Sequence, residues 1–197
     1  MQPLHSSVSP HMKSSLKLLS LLIMTLSSSL SALEVGNDIE AFAANDDTGE
    51  IWNAADYLGE KNIVVYFYPA AMTGGCTAQA CAYRDFSTNL SEEDAVVVGV
   101  SGDSVNGLSL FKQAHNLNFP LLSDPNGSLA TLFGVPTRAG GSLEREVGGD
   151  IHTLVRGLTT SRWTFIIGKN GKVIYKNDEV KAKEDTATVL EVLKKHP

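Results

Sequence analysis

The apolar positions of this chain fall into two periods. Asn62 to Tyr68 is a near-continuous run of apolar, β-branched and aromatic residues. Such a run, with no polar alternation, predicts a strand buried on both faces. Pro69 ends it. Thr73-Gly74-Gly75 follows as turn chemistry and a candidate helix N-cap. Cys76, Ala80, Tyr83 and Leu90 then recur at helical spacing, which predicts a helix over 76–90. Ala95 to Ser101 predicts a second buried strand, and Leu108, Phe111 and Ala114 mark a second helix. Arg162 to Gly168 and Lys172 to Lys176 flank Asn170-Gly171, a strong hairpin signal. Glu184 to Lys195 predicts a closing helix with Val189, Leu190 and Leu193 on one face. The segment from Arg138 to Thr160 is Gly-rich and patternless, and reads as a long excursion of the kind that carries function or mobility. Strands alternating with helices predict an α/β domain, a central sheet flanked by helices on both faces.

The N-terminal pattern is different. Lys13 and Lys17 precede an apolar run from Leu18 to Leu26, small residues follow, and the first acidic residue is Glu34. That order is a secretory signal, and the run is too short for an ordinary membrane span. Residues 1–32 are therefore expected to be a signal peptide, cleaved after Ser31 or Ala32, with Met12 as the natural start. The expected location is exported, periplasmic or otherwise extracytoplasmic. An uncleaved membrane anchor and an organellar address are the alternatives. Residues 33–197 are expected to be one domain, since neither a repeat nor a long linker divides them.

Composition narrows the function classes. The apolar share of 43% supports an ordinary core, and the net charge of -6 comes without a basic stripe, so nucleic acid is not an expected partner. Of the 197 residues only two are cysteines, Cys76 and Cys81. That is too few for a disulfide scaffold or a four-ligand zinc site, and no histidine stands at ligand spacing to them. Neither metal nor cofactor is expected. Cys76 falls where a strand ends, a loop turns and a helix begins. The N–H groups at a helix start stabilise negative charge, and the thiolate is the nucleophilic form of cysteine. Gly74 and Gly75 beside it let a substrate approach the backbone. A reactive thiol and an inert core cysteine both remain open from position alone.

Pro69-Ala70-Ala71-Met72-Thr73-Gly74-Gly75-Cys76 matches the Pro-x-x-x-Thr-x-x-Cys signature of peroxiredoxins. The longer string from Phe67 to Phe86 resembles the bacterioferritin comigratory protein / peroxiredoxin Q branch, as do Gly99 to Ser104, Phe119 to Pro125 and Arg162 to Ile167. The resemblance runs from about Gly36 to the C-terminus. It implies a thioredoxin-like fold with a central mixed β-sheet. It also implies thiol-dependent reduction of hydrogen peroxide or organic hydroperoxides, for antioxidant defence and redox homeostasis. Cys76 would be the peroxidatic cysteine, oxidised to a sulfenic acid. Thr73 and Arg162 would orient and hold thiolate and peroxide, Pro69 would shield the site, and backbone N–H groups near Gly75 and Cys76 would add donors. Thr73 as a plain helix cap, Pro69 as a strand terminator and Arg162 as a solvent-facing residue are the bland readings of the same positions.

Cys81 lies five residues beyond Cys76. On one regular helix their Cα atoms stand roughly 8–9 Å apart, with side chains about 140° apart around the axis. A disulfide needs Cα atoms at ~4.4–6.8 Å. The first turn must therefore unwind before the two can bond. The resemblance implies that Cys81 is the resolving cysteine, with thioredoxin or a thioredoxin-like dithiol as reductant and a monomer or weak dimer as the working unit. The chain departs from the branch at Glu40, where a proline is usual, at Gly74, also usually proline, and at Gln79, where many members carry glutamate. The stretch from Arg138 to Thr160 is also longer than is typical. Two rivals share the fold. A thiol–disulfide oxidoreductase needs Cys-x-x-Cys, and an exported copper-binding assembly protein resembles Cys-x-x-x-Cys plus a histidine such as His152; the spacing here fits neither.

Overall fold

The computed structural model describes residues 33–196, so the expected signal peptide lies outside the described residues. A small antiparallel pair, β1 (Ala43–Asn45) and β2 (Ile51–Asn53), leads into the central strand β3 (Asn62–Phe67). Helix α1 (Gly74–Asp85) and the short α2 (Ser87–Glu92) follow, then β4 (Ala95–Ser101), α3 (Val105–His115), β5 (Leu121–Ser123) and α4 (Ser128–Phe133). A long hairpin, β6 (Thr137–Val147) and β7 (Asp150–Thr160), precedes β8 (Trp163–Ile167), β9 (Val173–Asn177) and α5 (Asp185–Leu193).

The main sheet has the order β5-β4-β3-β8-β9. β3 runs parallel to β4, and β4 to β5, whereas β8 is antiparallel to both β3 and β9. The sheet is mixed, as expected. Every residue of β3 is buried, which explains its unalternating apolar run. Val64 and Tyr66 face a layer containing Tyr83 of α1, Phe111 of α3 and Leu190 of α5. Ile63, Val65 and Phe67 face the other way, onto Phe42, Trp52 and Phe133 of α4. Helices therefore cover both faces, and the fold is thioredoxin-like.

Three expectations are corrected. The helix predicted over 76–90 is two helices that break at Phe86, whose φ of -98° and ψ of 14° leave helical geometry. Arg162 precedes β8 rather than lying in it. The patternless stretch from Arg138 to Thr160 is a regular antiparallel ladder. Its period is hidden because β6 is exposed along nearly its whole length, while the inward side of β7 mixes polar and apolar residues, His152, Leu154, Arg156, Leu158 and Thr160. Its turn is made by Gly148 and Gly149, which sit at φ 66° and 95°, the left-handed pair of a two-residue hairpin loop. Another of its glycines serves docking, since a Cβ on Gly157 would stand 2.3 Å from the Pro125 carbonyl oxygen.

The hairpin is fastened to the end of β4 by a buried charge. Asp103 is fully buried and accepts from Arg156 of β7 at 3.1 Å. It also accepts from the Ser101 hydroxyl at 2.9 Å and from the Ala71 N–H at 2.8 Å. One carboxylate thus joins β4, the hairpin and the loop before α1. Removing it leaves the Arg156 guanidinium buried without its partner. Asp103→Ala is expected to cost about 3–5 kcal/mol, read as a lower urea midpoint, with the loop before α1 losing amide-exchange protection first.

Candidate active site

The site forms at the C-terminal end of β3. The buried strand delivers the chain to Tyr68 and Pro69, and the loop that follows is tied at successive residues. Thr160 donates to the Tyr68 carbonyl at 2.9 Å, Ala71 donates to Asp103, and Arg145 of the hairpin donates to the Met72 carbonyl at 3.0 Å. Met72 adopts φ 59°, a left-handed conformation that a non-glycine residue holds only when its surroundings impose it. Leu143 and Met72 pack on the cluster that contains Cys76.

Thr73 occupies the N-cap of α1 in extended geometry, but its side chain caps nothing. Its hydroxyl donates instead to the Ala70 carbonyl at 2.8 Å. The first backbone bond of the helix runs from Thr77 N–H to the Thr73 carbonyl. The N–H groups of Gly74, Gly75 and Cys76 are thereby left for a ligand. Gly74 and Gly75 are exposed, while Cys76 is 2% exposed.

Arg162 crosses from the start of β8 and donates from Nη2 to the Cys76 sulfur at 3.2 Å. Its Nη1 donates to Oε1 of Gln79 at 2.5 Å. Gln79 is fully buried, and its Nε2 donates to Oδ2 of Asp185 at 2.6 Å. The same oxygen accepts from the Tyr83 hydroxyl at 2.7 Å and the Thr164 hydroxyl at 2.9 Å. Burial pushes the Asp185 carboxyl up, against the pull of Tyr83, Gln79, Thr164 and Arg162. Burial, then the Asp185 charge, holds the Tyr83 phenol well above its ordinary range, so it remains a donor.

The candidate residues are therefore brought together: Cys76, Thr73, Gly75 and Arg162 surround one helix start, and Pro69 and Arg162 line an open depression of about 460 Å³ with Trp163, Arg138 and Thr160. Cys81 is half-buried on the same helix and is not bonded to Cys76. Among the described residues no group of three or more His, Cys, Asp or Glu side chains gathers, and His152 stands on β7. Two members of the network, Tyr83 and Asp185, escaped sequence reasoning. Tyr83 stood only among the positions at helical spacing, and nothing in the sequence joins Asp185 to a helix more than a hundred residues earlier.

The amide at position 79 has a definite chemical reason. It must offer an oxygen to a guanidinium on one side and an N–H to a carboxylate on the other, and only an amide does both. A glutamate here would set two carboxylates against each other in a buried site. Gln79→Glu is expected to lower stability by about 3 kcal/mol and to slow alkylation of Cys76 at neutral pH. Adding Asp185→Asn to Gln79→Glu removes the repulsion and should recover most of both losses, measured by urea unfolding and by the alkylation rate.

Known proteins carry the same architecture. The chain matches the AhpC/TSA family over residues 35–176. It is 38% identical over 162 residues to a protein named peroxiredoxin Bcp from Bacillus subtilis, covering 82% of this chain and 96% of that one. It is 34% identical to peroxiredoxin Bcp from Escherichia coli K12, covering 85% and 99%. The crystal structure of the peroxidoxin BcpB from Mycobacterium tuberculosis superposes with a TM-score of 0.70 at 30% identity, covering 84% and 99%. A bacterioferritin comigratory protein from Xanthomonas campestris, solved in a study of its alkyl peroxide reduction, superposes with a TM-score of 0.66 at 25% identity, covering 83% and 99%. A buried cysteine at a helix start, an arginine on its sulfur and this breadth of likeness lead to one assignment: the chain belongs to the AhpC/TSA family and is a peroxiredoxin of the Bcp type, a thiol-dependent peroxidase.

Proposed function

We propose that Cys76 is the peroxidatic cysteine of an exported peroxidase that reduces hydrogen peroxide and organic hydroperoxides. The observation that carries this reading is the Arg162 guanidinium on the Cys76 sulfur at the mouth of α1. The Cys76 thiolate attacks one peroxide oxygen. A sulfur–oxygen bond forms, the oxygen–oxygen bond breaks, and the departing oxygen takes a proton to leave as water or an alcohol. Negative charge moves from sulfur to that oxygen, and two sets of donors sit where it develops: Arg162 and the free N–H groups of the first turn. The Thr73 proton is committed to Ala70, so its lone pairs accept the peroxide O–H. Pro69 walls the site on the side of the open depression.

Cys81 then resolves the sulfenic acid. Its thiol displaces hydroxide from Cys76, giving the Cys76–Cys81 disulfide and water. Both residues lie within α1, so its first turns must unwind for this step. Thioredoxin or a thioredoxin-like dithiol returns the pair to thiols. The organic hydroperoxide part of the reading draws support from the alkyl peroxide reduction described for the Xanthomonas relative. Export rests on the positively charged and apolar pattern of residues 12–32.

Stopped-flow mixing with hydrogen peroxide, cumene hydroperoxide and tert-butyl hydroperoxide tests the chemistry. Cys76→Ser should consume none of them. Cys81→Ser should consume the first equivalent as fast as wild type and then show no steady-state turnover with thioredoxin as reductant; full steady-state turnover in that variant rejects Cys81 as the resolving residue. Export is tested by N-terminal sequencing of the protein isolated from its native cell. The expected mature chain begins at Ala32 or Leu33, and a mature chain still carrying residues 12–31 rejects the signal.

A further inference from the structure

Asp185 bears on the peroxidatic site without reaching peroxide. It opens α5, is 2% exposed, and takes all its donors on one oxygen. The other oxygen, Oδ1, is buried and has no partner. A carboxylate with one face already unsatisfied is costly to strip further.

The three donors do not belong to one body. Thr164 is on β8, held between β3 and β9, and is no part of α1. Gln79 and Tyr83 are both on α1, one helical turn apart and on one face. Gln79 lies between Cys76 and Cys81 in the chain. The two sulfurs cannot meet while the intervening turn is helical, and uncoiling that turn carries Gln79 away from Asp185. The same motion takes the Gln79 oxygen away from Arg162. One side chain thus couples the anchoring of α1 to the placement of the guanidinium on the Cys76 sulfur.

We propose that Asp185 is a positioning residue that latches α1 in its helical form. It thereby sets the balance between the folded helix that attacks peroxide and the unwound helix that forms the disulfide. This rests on the reading of Cys81 as the resolving cysteine. After attack, Cys76 sulfenic acid has two fates. With α1 unwound, the Cys81 thiol gives the disulfide and water. With α1 latched, a second peroxide adds an oxygen to the same sulfur, giving sulfinic acid and a second water or alcohol. A firmer latch favours rapid attack and lengthens the time during which the sulfur is open to that second oxidation.

The test is a peroxide pulse followed by rapid quench, thiol alkylation and mass analysis, applied to wild type, Asp185→Asn, Tyr83→Phe and Thr164→Val. Tyr83→Phe keeps the ring stacked on Tyr66, 4.7 Å between centroids, and removes only the hydroxyl. It reports on the latch even where Asp185→Asn folds poorly. Disulfide formation should accelerate about tenfold in Asp185→Asn and about fivefold in Tyr83→Phe. The peroxide dose that gives half sulfinic acid should rise in the same proportion, and the first attack should slow. Thr164→Val removes a donor present in both helix states and should leave the disulfide rate within about twofold of wild type. Unchanged disulfide rates in Tyr83→Phe, or equal acceleration by Thr164→Val, overturns the latch and leaves Asp185 a general stabilising group. Wild type that forms no Cys76–Cys81 disulfide overturns the resolving role itself, and the latch with it.

Discussion

Arg162 reaches the sulfur of Cys76 at the wound first turn of α1. The site's chemistry hangs on that contact. β3 must end where it does to start the helix beside β8, and β8 must pair antiparallel with β3 to bring Arg162 across. The sheet is therefore more than a core: Phe67 opposite Trp163 is the register that sets the cysteine and the arginine on the same edge. A one-residue slip would turn every side chain of β8 to the other face and send Thr164 away from Asp185.

The opposite demand comes from Cys81. Holding it on the same helix keeps it from Cys76 for as long as the arginine contact lasts. The proposed attack by Cys76 and the proposed resolution by Cys81 thus need different states of one short element. The protein meets this by making α1 weakly amphipathic and beginning it with two exposed glycines, which cost helix stability, while pinning one face by hydrogen bonds to a buried carboxylate. The helix is stable by tertiary attachment more than by its own propensity, which is the condition under which it can open locally without the sheet.

The loop ahead of α1 is not free in the same way. Asp103, Thr160 and Arg145 fasten it to β4, to β7 and to β6, respectively. The buried Asp103–Arg156 pair fixes the hairpin that supplies Arg145 and Thr160. Pro69 to Met72 therefore have anchors that do not depend on α1. The hairpin that looked like a featureless excursion is part of the frame of the site.

Much of the fold is legible in the sequence. The unbroken apolar run at Asn62 and the Asn-Gly turn at Asn170 announce a buried strand and a terminal hairpin, because burial on both faces and positive φ leave direct marks on residue choice. The string from Pro69 to Cys76 marks the helix start that carries Cys76, and on a regular helix the spacing to Cys81 keeps the two sulfurs from bonding without unwinding. The β6–β7 ladder was hidden, since β6 is solvated and the inward side of β7 mixes polar with apolar residues, and so was the break at Phe86, a local backbone choice that helical spacing runs straight through. Cys76 itself did not reveal whether it would be an inert core thiol or one held by a guanidinium; only the packing of β8 against β3 decided that. Likewise Gln79 looked like a simple departure from glutamate. Its reason, the Asp185 carboxylate, is more than a hundred residues away in sequence and 2.6 Å away in space. Local patterns write the elements, because each element's own geometry constrains its residues. The partners of a buried charge are chosen by the fold, and no local pattern records them.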